Sequence, residues 1–512
     1  MRLRHLTART AATACAVGIL TTASLSAASG SPASREPAFT AAPLATWQTN
    51  GTVWSVAAAR GVVYVGGTFD SVRPPGAKPG VQEVARKNFA AFDAVTGELL
   101  PCTHTFTDGR AAVRVMRASP DGRVLFVGGS FGTVDGTGVA NAVAIDTADC
   151  SLRKDFRPAV SATVRAIDST DTTVYLGGDF TDVGGLPRGH LAAFTREGEL
   201  LPFQAALDDS VRAILAAPDH AKLLVGGDFD QVDGVRRHAL VALDPRTGTT
   251  VSSYPGWIPD GSRVKSLARQ GSTFYLGAEG YGTGHFDGRI AGRLPDDRML
   301  WKDTCYGGTQ VVLPYGNVLY SGTHAHDCHE TPGGFPEHTK RWHLLAQSAD
   351  HKTLYHWYPD TDDGRGEGVG PRTMAVAGGI LWVGGEFTEV NGQAQQFLTR
   401  FGTTSDAPVQ EPPALSLCGL RDGRATLCWR AAWDRDDTVL TYRIHRDGTL
   451  LATLRQRSAP WDRPSMQYTD PVAAGSRHRY TITVSDGTRA APRSAPLTVT
   501  APPATGEQGQ PR

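Results

Sequence analysis

The segment VRAIDSTDTTVYLGGDF, residues 164–180, has counterparts along most of the chain. An alternating apolar run, a β-branched and aromatic run and two glycines follow one another, which is typical of two adjacent strands. Glycines at the end of the second strand allow close approach of another backbone. The counterparts are VWSVAAARGVVYVGGTF at 53–69, VRVMRASPDGRVLFVGGSF at 113–131, VRAILAAPDHAKLLVGGDF at 211–229, LWVGGEF at 381–387, and the weaker FYLGAEGYG at 274–282 and LYSGTHAH at 319–326.

The glycine pairs recur at a regular interval. From Gly66 to Gly384 there are 318 residues in six steps, a mean of 53. Each unit divides into strand-sized pieces, and a repeat of this length with several strands is typical of propeller blades. The sequence therefore predicts an all-β fold with a seven-bladed β-propeller over residues 44–401. The pattern puts the first glycine, or its equivalent, at Gly66, Gly128, Gly177, Gly226, Gly277, Ser321 and Gly384.

The two ends of the repeat region complement each other. The last repeat ends at Phe397–Phe401 without a fourth strand, and a spare strand, Leu44–Trp47, precedes the first repeat. If the spare strand completes the last blade, two open sheet edges disappear, and such edges otherwise invite aggregation. We therefore expect these two segments to be paired.

These GG-(T/S/D/E)-F units resemble the delta-60-type repeat propellers of bacterial secreted proteins, and more loosely WD40 and kelch repeats. The resemblance covers residues 44–401 and implies a propeller. It implies almost nothing about function, because propellers support unrelated activities.

The C-terminal region has a different pattern. Residues 402–413 form a polar, proline-rich linker, and residues 414–500 resemble a fibronectin type III module. The resemblance is carried by Trp429, by YRIHRDG at 442–448 and by Tyr480, which fits the tyrosine corner of such sandwiches. It implies a β-sandwich that serves as a spacer or binding accessory. The tail, residues 501–512, is predicted to be disordered.

The N-terminus predicts export. Three arginines among the first nine residues, an apolar run at 11–20 and small residues at Ser26 and Ala28 match a cleaved signal peptide over residues 1–28. The apolar run is too short for a transmembrane helix, so we expect no transmembrane segment in the mature chain. The 51 basic residues balance 51 acidic ones, which argues against a nucleic-acid partner. The predicted location is secreted and extracellular.

Six cysteines remain after removal of the signal peptide, and six allow 15 pairings. Cys418 and Cys428 flank a hairpin turn at Gly423 and should face each other. Each remaining pair is expected to lie within one blade, blade two or blade six. The sequence therefore predicts the disulfides Cys102–Cys150, Cys305–Cys328 and Cys418–Cys428.

Blade six departs from the repeat. The segment THAHDCHE at 323–330 replaces the usual pattern, and two histidines at alternate positions of a strand point to one face. That spacing permits chelation of Zn²⁺ or Cu²⁺, although a polar loop with hydrogen-bonded histidines is the competing interpretation. No cofactor is assigned beyond this candidate divalent ion. The candidate metal ligands are His324, His326, Asp327, His329 and His343.

The residues that follow the two glycines form a second pattern, because repeat symmetry places them at equivalent positions. They could bind Ca²⁺ or a hydroxyl-rich ligand, or they could accept backbone hydrogen bonds between blades, which is the commoner role. The candidate ligand-binding residues are the four acidic ones, Asp179, Asp228, Glu279 and Glu386, alongside Thr68, Ser130 and Thr323.

Two functions are consistent with these patterns. One is a secreted scaffold or binding protein that recognises an extracellular glycan or protein partner. The alternative is a secreted, metal-assisted carbohydrate-active enzyme of glycosidase type, with His324, His326 and Asp327 near the chemistry and Glu279 or Glu386 as acid or base, although no catalytic residue is assigned. No nucleophile elbow, P-loop, dinucleotide-binding or zincin motif is present, which favours a binding protein over an enzyme.

Overall fold

The computed structural model describes residues 37–503. Within that range the regular structure is β-strand, apart from one 3₁₀ turn at Pro218–His220. No helix in this part of the chain is long and apolar enough to cross a membrane. The predicted signal peptide, residues 1–28, and residues 504–512 of the predicted disordered tail lie outside the described residues. Ala501, the first residue of that tail, is instead ordered, since it packs in the core of the C-terminal sandwich.

Seven antiparallel sheets follow one another from residue 53 to residue 401 of the described chain, and we number them 1 to 7. In each sheet the first strand pairs with the second and the second with the third. The first strands are Val53–Ala59, Ala112–Ala118, Val164–Ser169, Val211–Ala217, Ser262–Gln270, Thr309–Tyr315 and Pro371–Ala377. The second strands are Val62–Gly67, Val124–Ser130, Thr173–Gly178, Lys222–Gly227, Thr273–Gly280, Val318–Ala325 and Ile380–Gly385. The third strands are Phe89–Asp93, Ala142–Asp146, Leu191–Thr195, Leu240–Leu243, Gly288–Arg293, Trp342–Ser348 and Leu398–Phe401.

The outer edge of each sheet carries a fourth segment. It is a full strand in sheets 4 and 5, at Thr250–Ser253 and Met299–Thr304. In the other sheets a single bridge marks its place. The bridges are Phe92 to Leu99, Ile145 to Leu152, Phe194 to Leu200, Gln347 to Leu354 and Phe401 to Pro43.

Short ribbons decorate the connections that follow the second strands. Each pair of ribbon strands is paired over two positions only, so each ribbon is a small extension of its loop. Their strands are Gln48–Thr49 with Ser71–Arg73 and Val84–Ala85, Phe106–Thr107 with Thr133–Val134 and Thr137–Gly138, Asp182–Val183 with Leu186–Pro187, Gln231–Val232 with Val235–Arg236, and Glu389–Val390 with Gln393–Ala394.

The first strands form a closed ring. Each contacts the first strand of the next sheet, and Pro371–Ala377 of sheet 7 contacts Val53–Ala59 of sheet 1. The first glycine of each pair faces the opening residue of the next first strand: a Cβ on Gly177 would lie 2.5 Å from Val211 Cγ1, and one on Gly384 would clash with Val53. The repeated glycine is therefore required because neighbouring sheets approach too closely for any side chain. This circular array of sheets is a β-propeller, as the repeats predict.

The N-terminal segment closes the ring from outside. The amide of Leu44 donates to the carbonyl of Arg400 at 2.8 Å, and the amide of Thr40 donates to that of Gly402 at 2.9 Å. The segment paired with sheet 7 thus begins before residue 44. After this segment, Gln48–Thr49 turns away and pairs with Ser71–Arg73.

A two-layered sandwich follows the propeller. Its three-stranded sheet contains Ser416–Arg421, Arg424–Arg430 and Ser465–Pro471, and its four-stranded sheet contains Val439–Arg446, Thr449–Arg457, Arg477–Ser485 and Leu497–Thr500. Trp429 and Tyr442, one from each sheet, share one apolar core. The hydroxyl of Tyr480 donates to the Asp470 carboxylate at 2.5 Å.

Trp461 joins the sandwich to the propeller. Its ring packs against Phe335, Trp342 and Tyr358, which belong to sheet 6 and the connection that follows it. The backbone amide of Tyr358 also donates to the carbonyl of Arg435 at 2.8 Å.

The three predicted disulfides are confirmed: Cys102–Cys150, Cys305–Cys328 and Cys418–Cys428. Their expected placement within single blades is wrong for the propeller pairs. Cys102 follows the outer segment of sheet 1, and Cys150 follows the third strand of sheet 2. Cys305 follows the fourth strand of sheet 5, and Cys328 follows the second strand of sheet 6. Both bonds therefore connect neighbouring sheets, because the chain segment that leaves the outer edge of one sheet runs alongside the next sheet.

Candidate functional site

One residue of each first strand is bulged. The pairing between first and second strands skips one residue near the start of the first strand, and it does so in all seven sheets described here. A β-bulge re-aims the side chain of the extra residue and is common beside functional sites. The bulged residues, which we call the bulge ring, are Trp54, Arg114, Arg165, Arg212, Lys265, Gln310 and Arg372.

The bulge ring lines the central cavity. All seven of its side chains border one space of about 460 Å³ that the first strands surround. Five of the seven are arginine or lysine. A channel lined by one sign of charge attracts the opposite sign from solution, unless neighbouring groups neutralise it.

Each bulged residue has a counterpart at the end of the second strand, at the position that follows the two glycines. In sheet 6 the pairing shows that Gly322, not Ser321, is equivalent to Gly66, since Gly322 pairs with Val311 as Gly66 pairs with Ser55. The counterpart in that sheet is therefore His324, not Thr323. The seven counterparts are Thr68, Ser130, Asp179, Asp228, Glu279, His324 and Glu386.

Four counterparts are the carboxylates that the sequence singled out, and each pairs with the bulged cation of its own sheet. Ion pairs that are partly withdrawn from water gain from hydrogen-bonded geometry of this kind. The nitrogen–oxygen distances are 2.6 Å for Arg165–Asp179, 2.5 Å for Arg212–Asp228, 2.8 Å for Lys265–Glu279 and 3.2 Å for Arg372–Glu386.

Two of these carboxylates also accept hydrogen bonds from neighbouring segments. Asp179 accepts from the hydroxyl of Ser210, which precedes the first strand of sheet 4, at 2.7 Å. Glu386 accepts from the amides of Val369 at 2.7 Å and Glu367 at 3.2 Å. The carboxylates thus hold the ring together, and their charge is already balanced within the protein.

Glu279 shows how strongly the ring holds a carboxylate in its ionised form. Burial disfavours its charge, but Lys265 and the hydroxyl of Tyr281, 2.7 Å away, outweigh burial and lower the pKa of Glu279 to about 2. His324 has the opposite balance, because burial lowers its pKa to about 4. Glu279 is therefore charged at neutral pH, and His324 is neutral.

Sheets 1 and 2 lack the carboxylate. In sheet 1 the indole nitrogen of Trp54 donates to the Thr68 hydroxyl at 2.7 Å. In sheet 2 the counterpart of Arg114 is Ser130. The guanidinium carbon of Arg114 lies 4.1 Å from the centroid of the Trp54 ring, and that of Arg372 lies 4.4 Å from it. Two guanidinium groups therefore share one indole, an arrangement stabilised by cation–π attraction.

A cleft opens beside this indole. It has a volume of about 400 Å³, and its charged lining within residues 37–503 is Arg110, Arg114 and Arg365. Trp54 and Thr68 also line it. The sequence segments VRVM and VRAI carried a signal for this site in the arginine after the first valine, but the alternation of a regular strand could not reveal the bulge.

The predicted metal ligands do not form one site. His324 accepts a hydrogen bond from the amide of Gly308 at 3.1 Å, and His326 lies 3.1 Å from a carboxylate oxygen of Glu337. The structure divides the predicted set of His324, His326, Asp327, His329 and His343 among separate networks.

The other members of the set have partners of their own. His329 lies 2.8 Å from the Asp327 carboxylate, and His343 lies 3.0 Å from the carboxylate of Asp363. The expected shared face is lost because the pairing of the second and third strands shifts between Gly322 and Ala325, which interrupts the alternation of side chains.

A different acidic group gathers in the C-terminal region. Asp406, from the linker, and Asp436 and Asp437, from the sandwich, offer oxygens that all lie within 4.8 Å of one another. Among residues 37–503 this is the group of three that could share a metal ion. Sequence reasoning missed this group, because the linker and the sandwich loop are 30 residues apart along the chain.

Comparisons with known proteins concern the fold. No family model matches the chain, and no curated protein matches its sequence. Among solved structures, the chain is similar to one titled "Crystal Structure of Mitotic Checkpoint Complex", with a TM-score of 0.44 and 14% identity over 72% of this chain and 97% of that one. It is also similar to Sqt1 of Saccharomyces cerevisiae, with a TM-score of 0.41 and 9% identity over 70% of this chain and 98% of that one.

Proposed function

We propose that this protein is an exported seven-bladed β-propeller that binds an extracellular polysaccharide or protein partner on the face that carries the bulge ring. The main support for this proposal is that a bulge recurs at the same position in all seven sheets. Regular pairing would stabilise each sheet better, so a bulge that aims one polar or aromatic side chain at a common cavity serves recognition.

The loops support the same face. The connections that leave the second strands and those that enter the first strands meet at this end of the ring. Binding residues concentrate on loops that a rigid scaffold positions. Arg110 and Arg365, both on connections into first strands, line the cleft beside Trp54.

Export rests on the cysteines and on the predicted signal peptide at residues 1–28. Disulfides form and persist in oxidising compartments. Three are present, and two of them connect neighbouring propeller sheets. An extracellular location follows from the two arguments together.

The sandwich is assigned the role of a fibronectin type III-like spacer. Its two antiparallel sheets share a core that contains Trp429, Tyr442 and Tyr480. Trp461 fixes it against the side of the propeller at sheet 6.

The alternative function, a metal-assisted carbohydrate-active enzyme, required His324, His326 and Asp327 to lie together. Their side chains belong to different hydrogen-bonding networks. No arrangement of these residues favours that chemistry, and a binding role is the better proposal.

Binding of the mature protein to isolated cell-envelope polymers and secreted proteins tests the proposal. An insertion of about ten Gly/Ser residues after Gly109 or Gly282 obstructs the bulge-ring face, since both glycines lie in exposed turns at that end with no atom near a Cβ. The same insertion after Gly271, in an exposed turn between first and second strands at the opposite end, is the control.

We expect the two insertions at the bulge-ring end to abolish binding and the control to keep it. Equal binding by all variants, or no binding of the wild type to any envelope polymer or secreted protein, would contradict the proposal.

A further inference from the structure

The bulge ring has one arginine that its own sheet leaves unbalanced. Arg165, Arg212, Lys265 and Arg372 each face a carboxylate, whereas Arg114 faces Ser130. The Nε of Arg114 is buried and has no hydrogen-bond acceptor within the described part of the protein. A buried polar atom without a partner is costly, and such an atom beside a cleft indicates a missing ligand.

The electrostatic surroundings of Arg114 favour an anion. Burial lowers the pKa of its guanidinium, and repulsion from Arg165 and Arg372 lowers it further, with smaller opposing contributions from Glu367 and Asp179. Two more arginines, Arg110 and Arg365, line the adjoining cleft, and no Asp or Glu among the described residues lines it. An anion placed there would remove the repulsion and supply the missing acceptor.

The shape of the site limits the kind of anion. The cleft has a volume of about 400 Å³, the scale of a pocket for one small ligand or one polymer unit. Trp54 holds the Arg114 guanidinium in place by stacking, so less conformational freedom is lost when it binds. Arginine binds carboxylate and phosphate oxygens through two parallel hydrogen bonds. Trp54 and Thr68 add an aromatic surface and a hydroxyl at the wall of the cleft.

We infer that the cleft beside Trp54, where sheets 7, 1 and 2 meet, binds the anionic group of an extracellular glycan, a sugar-containing polymer with carboxylate or phosphate oxygens. This inference rests on the proposed function and narrows its ligand class. Arg114 makes the central contact, and Arg110 and Arg365 approach the same group from the exposed loops.

The repeat itself supplies the decisive variant. Ser130→Asp places in sheet 2 the residue that sheets 3 and 4 carry at the same position, so the backbone accepts it and Arg114 acquires an internal partner. Ser130→Asn has the same shape without the charge and is the matched control. Both variants keep the bulge, and both replace the Ser130 hydroxyl, which donates to the carbonyl of Arg110 at 3.4 Å, so the difference between the two variants isolates the charge.

Three soluble probes separate the sources of the anion: polygalacturonate for carboxylate, poly(glycerol phosphate) for phosphate, and dextran as a neutral glycan. Polyglutamate tests an acidic protein in their place. We expect the wild type to bind one or both anionic glycans, more tightly at low salt, and not dextran. Ser130→Asp should weaken that binding about tenfold or more, since hydrogen bonds to a charged group are lost, and Ser130→Asn should change it less than about twofold.

Three results would overturn the inference: undiminished binding by Ser130→Asp, equal binding to dextran, or a preference for polyglutamate. Its failure can be told apart from failure of the proposed function. If the wild type binds envelope material, insertion after Gly109 or Gly282 abolishes this, and Ser130→Asp leaves it intact, the bulge-ring face binds a ligand but this cleft does not. If the wild type binds neither the probes nor envelope material, both proposals fail.

Discussion

Sheets 2 and 3 are neighbours with nearly the same backbone, yet they use the same arginine differently. Each has a bulged arginine near the start of its first strand, Arg114 or Arg165. In sheet 3 the arginine lies 2.6 Å from Asp179, which also accepts a hydrogen bond from Ser210 of the next connection. In sheet 2 the equivalent residue is Ser130, and Arg114 stacks on Trp54 instead.

The difference shows how a repeat protein acquires a binding site without changing its scaffold. The bulge and the close approach of neighbouring sheets are common to all seven sheets described here, so sheets 2 and 3 differ in the residue opposite the bulge. The residue that follows the two glycines, Ser130 in sheet 2 and Asp179 in sheet 3, decides whether the arginine forms an internal ion pair or remains available to a ligand. A fold of identical units can therefore be structural in one sector and functional in the next.

The largest expected effect on stability is the difference between two single variants, one that removes a paired arginine and one that removes an unpaired arginine. Arg372→Met leaves the Glu386 carboxylate, whose side chain is 1% exposed, without its cation. We expect the free energy of unfolding to fall by about 3 kcal/mol, because breaking a buried ion pair strands one charge. Arg114→Met should cost less than about 1 kcal/mol, since no carboxylate is stranded. Urea unfolding followed by tryptophan fluorescence measures both, and equal losses would contradict the comparison.

The next effect is the loss of folding stability at low pH. The pKa of Glu279 is about 2, below its ordinary value of 4.5, because Lys265, Tyr281 and Gln310 outweigh burial. The ionised form therefore stabilises the fold fully above about pH 4.5, and this contribution disappears as the pH falls towards 2. Between pH 5 and pH 2 the wild type should lose on the order of 3 kcal/mol more than Glu279→Gln. Urea unfolding across that range tests this, and parallel curves for the two proteins would show that Glu279 is not held as described.

A smaller effect is expected where the ion pair is more exposed. The side chains of Arg165 and Asp179 are 28% and 31% exposed. Asp179→Ser, which turns sheet 3 into a copy of sheet 2, should lower the free energy of unfolding by about 1 kcal/mol, because solvent screens the pair and the Ser210 hydroxyl loses an acceptor. Urea denaturation provides the value. A loss as large as that of Arg372→Met would mean that burial does not set the strength of these pairs.

The smallest effect has the opposite sign. Ser130→Asp, the variant expected to weaken glycan binding, should stabilise the protein by less than about 1 kcal/mol, since it adds a partly exposed ion pair to Arg114. Thermal unfolding of the wild type, Ser130→Asp and Ser130→Asn measures this, with no change expected for Asn. Gains in stability at binding positions are common, because such sites are not optimised for stability. A destabilised Ser130→Asp would show that the position does not accept a carboxylate.

Much of the fold could be predicted from local patterns. The glycine pairs mark the ends of second strands because the next sheet approaches there, as Gly177 and Val211 illustrate. The three disulfide pairings were predicted correctly, although the placement of the two propeller bonds between neighbouring sheets was not. The weakest repeat was misaligned by one residue, which placed Thr323 rather than His324 beside the ring.

The candidate site was predicted only in part. Asp179 and Glu279 were found because they follow the glycines, but their partners Arg165 and Lys265 were not, since a bulge breaks the two-residue period on which strand reasoning depends. The predicted metal set failed for the same reason: the shift at Gly322–Ala325 separates His324 from His326.

By itself the sequence determined the class of fold, because the repeat length, the glycine pairs and the alternation of apolar and polar residues are local features that recur in each repeat. It also determined which cysteines would be joined, since each bond connects two cysteines that are consecutive along the chain. Only the tertiary structure decided which charges remain available, because the bulge that turns Arg114 towards Trp54 and the absence of a carboxylate opposite it are facts of pairing between strands. A charged side chain can bind a ligand only where no neighbouring group already neutralises it, and the tertiary structure decides which groups are its neighbours.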